Sequence, residues 1–241
     1  HLKELEDKER EELVHVNIDK EAGVIIPLLG NEVSPETLIE LGASLNNKEK
    51  IQTLNITEVP DQTSLDAFRE KRPKTKSLER MVKTLSNRLN LKINFESIAT
   101  HKLSETMQAL SEITSIDWLV LGWNGRAYNG IFFNNPIGWI VSHINSNFAL
   151  FKCNGVMRFN KVLLAIRPHS KDTVKLIETT NKLCKYYNAE FTLLHVVPAD
   201  MSIEQVNNIK LKANDLLKGT KGNLLLVPSE NPIDTVSDLT A

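Results

Sequence analysis

The chain has 241 residues, 24% of them charged and 41% apolar, an ordinary balance for a soluble globular protein. Its formal net charge of −1 excludes an overall field favouring nucleic acid or an anionic membrane. Cys153 and Cys184, the two cysteines, are too few for a disulfide framework and read as reduced, near-core thiols of a cytosolic protein.

No apolar run approaches the roughly 18–20 residues of a membrane span, and the first residues are charged, unlike a signal peptide. Lys3 to Glu12 is nearly all charged, with Glu4 and Lys8, and Glu6 and Arg10, at helical spacing. We expect a solvated connector helix over residues 1–20. The charged start, and an end at Asp238-Leu239-Thr240-Ala241 in mid-pattern, lead us to expect a fragment of a longer polypeptide.

Gly23 to Leu28 reads as a short buried strand, with a turn at Gly30-Asn31. Ser34-Pro35 supplies an N-cap and a first-turn proline for a helix through Leu38, Leu41, Ala43 and Leu45. Ile51, Leu54 and Ile56 mark the second strand, ending at Val59-Pro60. Asp61 to Thr75 is polar, carries the basic cluster Lys71-Arg72-Pro73-Lys74, and reads as an exposed loop rather than a nucleic-acid contact.

Leu78, Met81, Val82, Leu85 and Leu89 recur at helical spacing, and Leu91, Ile93 and Phe95 alternate as a third strand. Leu103, Met107, Leu110 and Ile113 make a third helix leading into the apolar strand Asp117 to Leu121. The glycine turn Gly122-Trp123-Asn124-Gly125 follows, then a helix opened by Asn135-Pro136, then a last strand at Phe148-Ala149-Leu150-Phe151. Five strands alternating with helices predict a parallel sheet covered on both faces.

The pattern then restarts. Lys161 to Ile166 is a strand, Leu176, Ile177, Leu183 and Tyr186 mark a helix, and Phe191, Leu193 and Val196 mark a strand ending at Val197-Pro198. At a fixed offset of 138, Val24 falls on Val162, Leu38 on Leu176, Leu45 on Leu183 and Pro60 on Pro198. That ungapped agreement predicts an internal repeat. Leu224 to Pro228 is the third strand of the second half, with a helix from Pro232 to Leu239. Its fourth and fifth strands are absent. The expected organisation is therefore a connector over 1–20, a first subdomain over 21–153 and a shorter, incomplete one over 158–241.

The first half resembles a universal stress protein domain, whose sequence ends with an apolar strand, Gly-x-x-Gly, nine residues, Gly-Ser or Gly-Thr, a helix and a last strand. Here Gly122-x-x-Gly125 follows the strand, and nine residues separate it from Asn135-Pro136. The resemblance spans about Gly23 to Lys152, and Lys161 to Ala241 in part. It implies two Rossmann-like α/β subdomains with parallel sheets. The whole chain also resembles the cytosolic C-terminal region of amino acid–polyamine–organocation superfamily transporters, such as prokaryotic cation–chloride cotransporters and amino acid permeases. The segments carrying that likeness are Glu58 to Thr63 and Leu121 to Arg126.

In ATP-binding universal stress proteins the glycine turn and the next helix N-terminus hold the phosphates through backbone N–H groups. The positions matching that site are Gly122, Gly125, Arg126 and Asn135. Pro136 brings no N–H, Asn135 adds bulk where glycine would allow close approach, and Leu29 stands where an Asp engages the nucleoside. Each lost charge-assisted bond costs about 1.5–3 kcal/mol. Three departures move a micromolar ligand of about −8 kcal/mol toward millimolar. ATP is thus disfavoured, and we expect no cofactor.

The histidines His1, His15, His101, His143, His169 and His195 show no zinc spacing, and no nucleophile elbow or Walker lysine is present. We therefore expect neither metal nor enzymatic chemistry. The resemblance implies dimerisation through the last strand, with Trp139, Phe148, Leu150 and Phe151 as interface residues. It further implies a regulatory tail on the cytoplasmic side of the cell membrane, packed on its own transmembrane domain. The alternative is a soluble nucleotide-sensing stress protein.

Overall fold

A computed structural model describes residues 18–30, 32–65, 73–113, 116–123, 142–144, 146–155, 158–166 and 171–240. The chain divides between Gly155 and Val156 into two compact units, each with its own parallel sheet.

In the first unit the elements run β1 (Val24–Leu28), α1 (Pro35–Leu45), β2 (Lys50–Glu58), α2 (Pro73–Leu89), β3 (Lys92–Thr100), α3 (Leu103–Ile113), β4 (Trp118–Gly122) and β5 (Asn147–Phe151). Their order in the sheet is β3-β2-β1-β4-β5, with every pair parallel. Because β1 is central and covered on both faces, all five of its residues are buried. Successive side chains take opposite faces. Val24 and Ile26 meet α1 at Gly42, while Ile25 joins Leu54, Leu119 and Leu121 beneath Leu103, Met107 and Leu110 of α3. Ile144 adds to that second layer.

The expected loop over Asp61 to Thr75 needs correcting at its end. Helix α2 already starts at Pro73, a residue suited to a first turn, so Lys74, Thr75 and Lys76 are helical. Thr75 is buried there because Asn55 Nδ2 donates to its Oγ1 and to Ser97 Oγ, at 3.4 and 3.0 Å. Ser34 does precede α1, but its hydroxyl meets Thr37 Oγ1 at 2.9 Å instead of capping a backbone N–H. Of the connector helix expected over residues 1–20, residues 1–17 lie outside the described residues, and Ile18 to Lys20 are not helical. From Ile18 the chain is tied to the sheet: Ile18 packs on the core and Asp19 N–H donates to Gln52 Oε1 at 3.0 Å.

The second unit runs β6 (Lys161–Ala165), α4 (Thr173–Tyr187), β7 (Glu190–Val197), α5 (Ile203–Leu217), β8 (Gly222–Pro228) and α6 (Pro232–Thr240). Its sheet order is β6-β7-β8. Ile177 and Cys184 of α4, with Ala213 and Leu217 of α5, bury Phe191 and Leu193. Helix α5 opens on a capping box in which Ser202 accepts from Gln205 N–H and Gln205 accepts from Ser202 N–H.

The helix starts keep the repeat offset, Pro35 of α1 falling on Thr173 of α4. The strand register does not. Val24 pairs with Ile51, whereas Val162 pairs with Phe191, two residues beyond the repeat position of Ile51. A slip of two leaves every side chain on its original face, so the core survives it.

Candidate functional site

The sheet order reverses between β1 and β4. In open α/β sheets that switch point opens a crevice at the carboxyl ends of the strands. Here β1 pairs with β2 along its whole length, but with β4 only at Val24 and Ile25. Pro27 follows, and a proline has no N–H to give to a ladder. By that rule the crevice belongs beyond it, between the turn after β1 and Gly122, the last residue of β4.

The chain's own Glu32 carboxylate fills this corner. Leu29 N–H donates to Glu32 Oε1 at 2.5 Å and Gly30 N–H to Oε2 at 2.9 Å. Gly30 has φ +84, a left-handed conformation open to glycine at little cost. The stem of Glu32 lies so close to β4 that a Cβ built on Gly122 would be 3.2 Å from Glu32 Cγ and 3.5 Å from Leu38 Cδ2. From α2, Lys74 Nζ donates to Gly30 O at 2.7 Å. The Asn55–Thr75 bond ties that first turn of α2 to the sheet and so positions Lys74.

Of the expected nucleotide residues, Gly122 stands at this crevice. Gly125, Arg126, Asn135 and Pro136 lie outside the described residues, as does Trp139 of the expected interface; Ser142 and His143 are helical. Leu29 is half-buried and packs against the core cluster around Ile25 and Leu121, an apolar use of the position where the resemblance leads one to look for an Asp.

The remaining interface candidates sit on β5, the edge of its sheet. Leu150 is 48% exposed, while Phe151 is 8% exposed and Phe148 packs on the core cluster. Phe151 O accepts from Trp123 N–H at 2.8 Å, and Lys152 Nζ lies 5.9 Å from the centre of the Trp123 ring. The structure thus gathers Leu150, Trp123 and Lys152 at the accessible end of the edge strand.

Elsewhere the titratable groups are scattered. His101 Nε2 is 2.9 Å from Thr63 O, and exposed His143 Nδ1 is 3.0 Å from Ser142 Oγ. His195 is buried in β7, and burial pulls it below its ordinary value. Cys184 is buried in α4, and burial pushes its thiol up. Among the described residues no His, Cys, Asp and Glu side chains group as metal ligands would, and no helix is long and apolar enough to cross a membrane.

Glu32 is the site residue that sequence reasoning missed. Its signal was faint: an acid two residues after a turn glycine, whose partner across the crevice, Gly122, becomes a neighbour only once the sheet forms.

No family model and no curated protein matches the sequence. Among solved structures, a universal stress protein from Archaeoglobus fulgidus DSM 4304 is similar, with a TM-score of 0.60 at 14% identity. The alignment covers 91% of this chain and 85% of that one. The cytoplasmic domain of a prokaryotic cation chloride cotransporter is similar to the same degree. Its TM-score is 0.61 at 15% identity, with 88% of this chain and 80% of that one covered. The parallel sheets, their strand order and these two likenesses agree: the chain has the Rossmann-like α/β fold of universal stress proteins, shared with a cotransporter's cytoplasmic domain.

Proposed function

We propose that the chain is a non-enzymatic regulatory and assembly domain on the cytoplasmic side of a membrane transporter, of the cation–chloride cotransporter or amino acid permease kind. The observation that carries this proposal is the crevice closed by the protein itself. At the position where related folds leave room for a ligand, Glu32 takes the backbone donors of Leu29 and Gly30, and Leu29 turns its apolar side chain to the core. A site closed in this way serves packing, and the domain then works through its surfaces. The β5 edge, with exposed Leu150, joins two copies, and the assembled pair bears on the transmembrane domain of the same polypeptide. The likeness to a cotransporter's cytoplasmic domain supports the assignment.

The second reading, a nucleotide-binding stress protein, draws on the equal likeness to the Archaeoglobus fulgidus protein and on the retention of Gly122 at the end of β4. Two measurements separate the two, and a third tests the β5 contact. The reading frame encoding this chain should carry apolar spans of roughly 20 residues each ahead of His1; a start codon close to His1 would sink the transporter assignment. By sedimentation the protein should be a dimer, and Leu150→Lys a monomer; a monomeric wild type at tens of micromolar removes the β5 contact. Calorimetry with ATP should show no binding tighter than about millimolar, and micromolar binding, about −8 kcal/mol, establishes the rival.

A further inference from the structure

We propose that the turn after β1 is an oxyanion site held shut by the chain's own carboxylate, and that it accepts a phosphate-type oxyanion once Glu32 is displaced. The idea builds on the closed crevice of the proposed function, but it concerns how the crevice is closed, not what the domain regulates. Leu29 and Gly30 are consecutive, and their N–H groups reach the two separate oxygens of one carboxylate, at 2.5 and 2.9 Å. Successive backbone N–H groups converging on one anionic group form a nest, the backbone device that also holds phosphate oxygens. Gly30, at φ +84, supplies the left-handed residue such a concavity uses.

Two further observations come from other elements. Gly122 of β4 leaves just enough room for the occupant: any side chain there would press on Glu32 Cγ, at 3.2 Å for a Cβ alone. Lys74 of α2 sets its ammonium on Gly30 O at 2.7 Å, so a cation stands at the rim of the nest. Backbone donors, a cation and a gap beside a glycine make an oxyanion site. The carboxylate in it is an occupant tethered two residues away.

A tethered occupant competes at high effective concentration. An external oxyanion therefore sees its affinity reduced by the fraction of time the nest is open. If Glu32 holds the nest nine-tenths of the time, its removal strengthens external binding about tenfold.

The test is a titration of the full chain with inorganic phosphate at constant low ionic strength, followed by backbone amide NMR and calorimetry. Wild type, Glu32→Ala and Glu32→Gln are compared. Glu32→Ala should bind phosphate at least about tenfold more tightly than wild type, with the Leu29 and Gly30 amides shifting most. Adding Lys74→Ala to that variant should weaken the binding again. A folded Glu32→Ala protein that gains no affinity overturns the proposal, and so does a gain reported by amides elsewhere. Glu32→Gln keeps one acceptor oxygen and drops the charge. If the alanine variant fails to fold, the glutamine variant decides on the same two criteria. Either outcome leaves the dimer and reading-frame tests untouched, so the two proposals fail separately.

Discussion

Gly42 seats α1 on the central strand and so fixes the loop that carries Glu32. A Cβ built there would lie 2.5 Å from Ile26 Cδ1, 3.1 Å from Ile26 Cγ1 and 3.3 Å from Val24 Cγ1. Both neighbours are fully buried, so neither has solvent to retreat into. Overpacking of a tight core costs about 1–3 kcal/mol, and closed surroundings point to the upper half of that range. Opposing it, alanine is better than glycine inside a helix by about 0.8–1.0 kcal/mol. Gly42→Ala should therefore destabilise the first unit by about 1–2 kcal/mol, lowering a urea midpoint by about 0.5–1 M at a slope near 2 kcal/mol/M. Trp118, Trp123 and Trp139 are the chain's three tryptophans and all precede Gly155, so their fluorescence follows the first unit selectively. Ile26→Val removes the Cδ1 nearest the clash. Added to Gly42→Ala it should cost less than the roughly 0.5–1.5 kcal/mol it costs alone. A Gly42→Ala protein as stable as wild type would refute the reasoning, because helix propensity would then outweigh a contact we take to be rigid.

Other expectations concern the second unit. Ser202→Ala removes one half of the capping box on α5 and should cost about 1 kcal/mol, seen as a lower midpoint in circular dichroism with an unchanged slope. An unchanged midpoint would mean that the helix start is held by its packing alone. Burial holds His195 below its ordinary value of 6.5, so the unfolded chain takes up the proton first as pH falls. Its contribution is complete above 6.5 and is lost as pH drops from there toward the folded value. His195→Gln should flatten the stability profile below pH 6.5, and equal slopes in both proteins would exclude the effect.

Much of the fold could be read in the sequence because apolar periodicity is a direct imprint of which faces are covered. Strands near Val24, Ile51, Ile93, Trp118 and Phe148 and the helix starts at Pro35 and Leu103 follow from it. It is silent where burial is polar. The first turn of α2 holds Lys74, Thr75 and Lys76, and Thr75 is buried by hydrogen bonding to Asn55 instead of by an apolar stripe. Helix α5 had a signal, Ser202-x-x-Gln205, that apolar spacing does not register. The two-residue register difference between the units was invisible for another reason: an even shift restores the same in-and-out alternation. At the site, Gly122 was legible as the end of a strand. Glu32 was not, because a loop carboxylate has no pattern, and its significance comes from two backbone donors and a distant glycine.

The placement of β1 has a consequence for how the chain acquires its structure. In the second unit each sheet contact joins strands consecutive in sequence, β6 with β7 and β7 with β8. In the first, β1 must also find β4, with two other strands and three helices between Val24 and its partner Trp118. Closing so long a loop is entropically slow, and proteins rich in such contacts fold later than those built from local ones. The three-strand unit should therefore assemble first in a refolding experiment. The crevice at β1 and β4 should be among the last features to form, its oxyanion nest complete only when the sheet has closed.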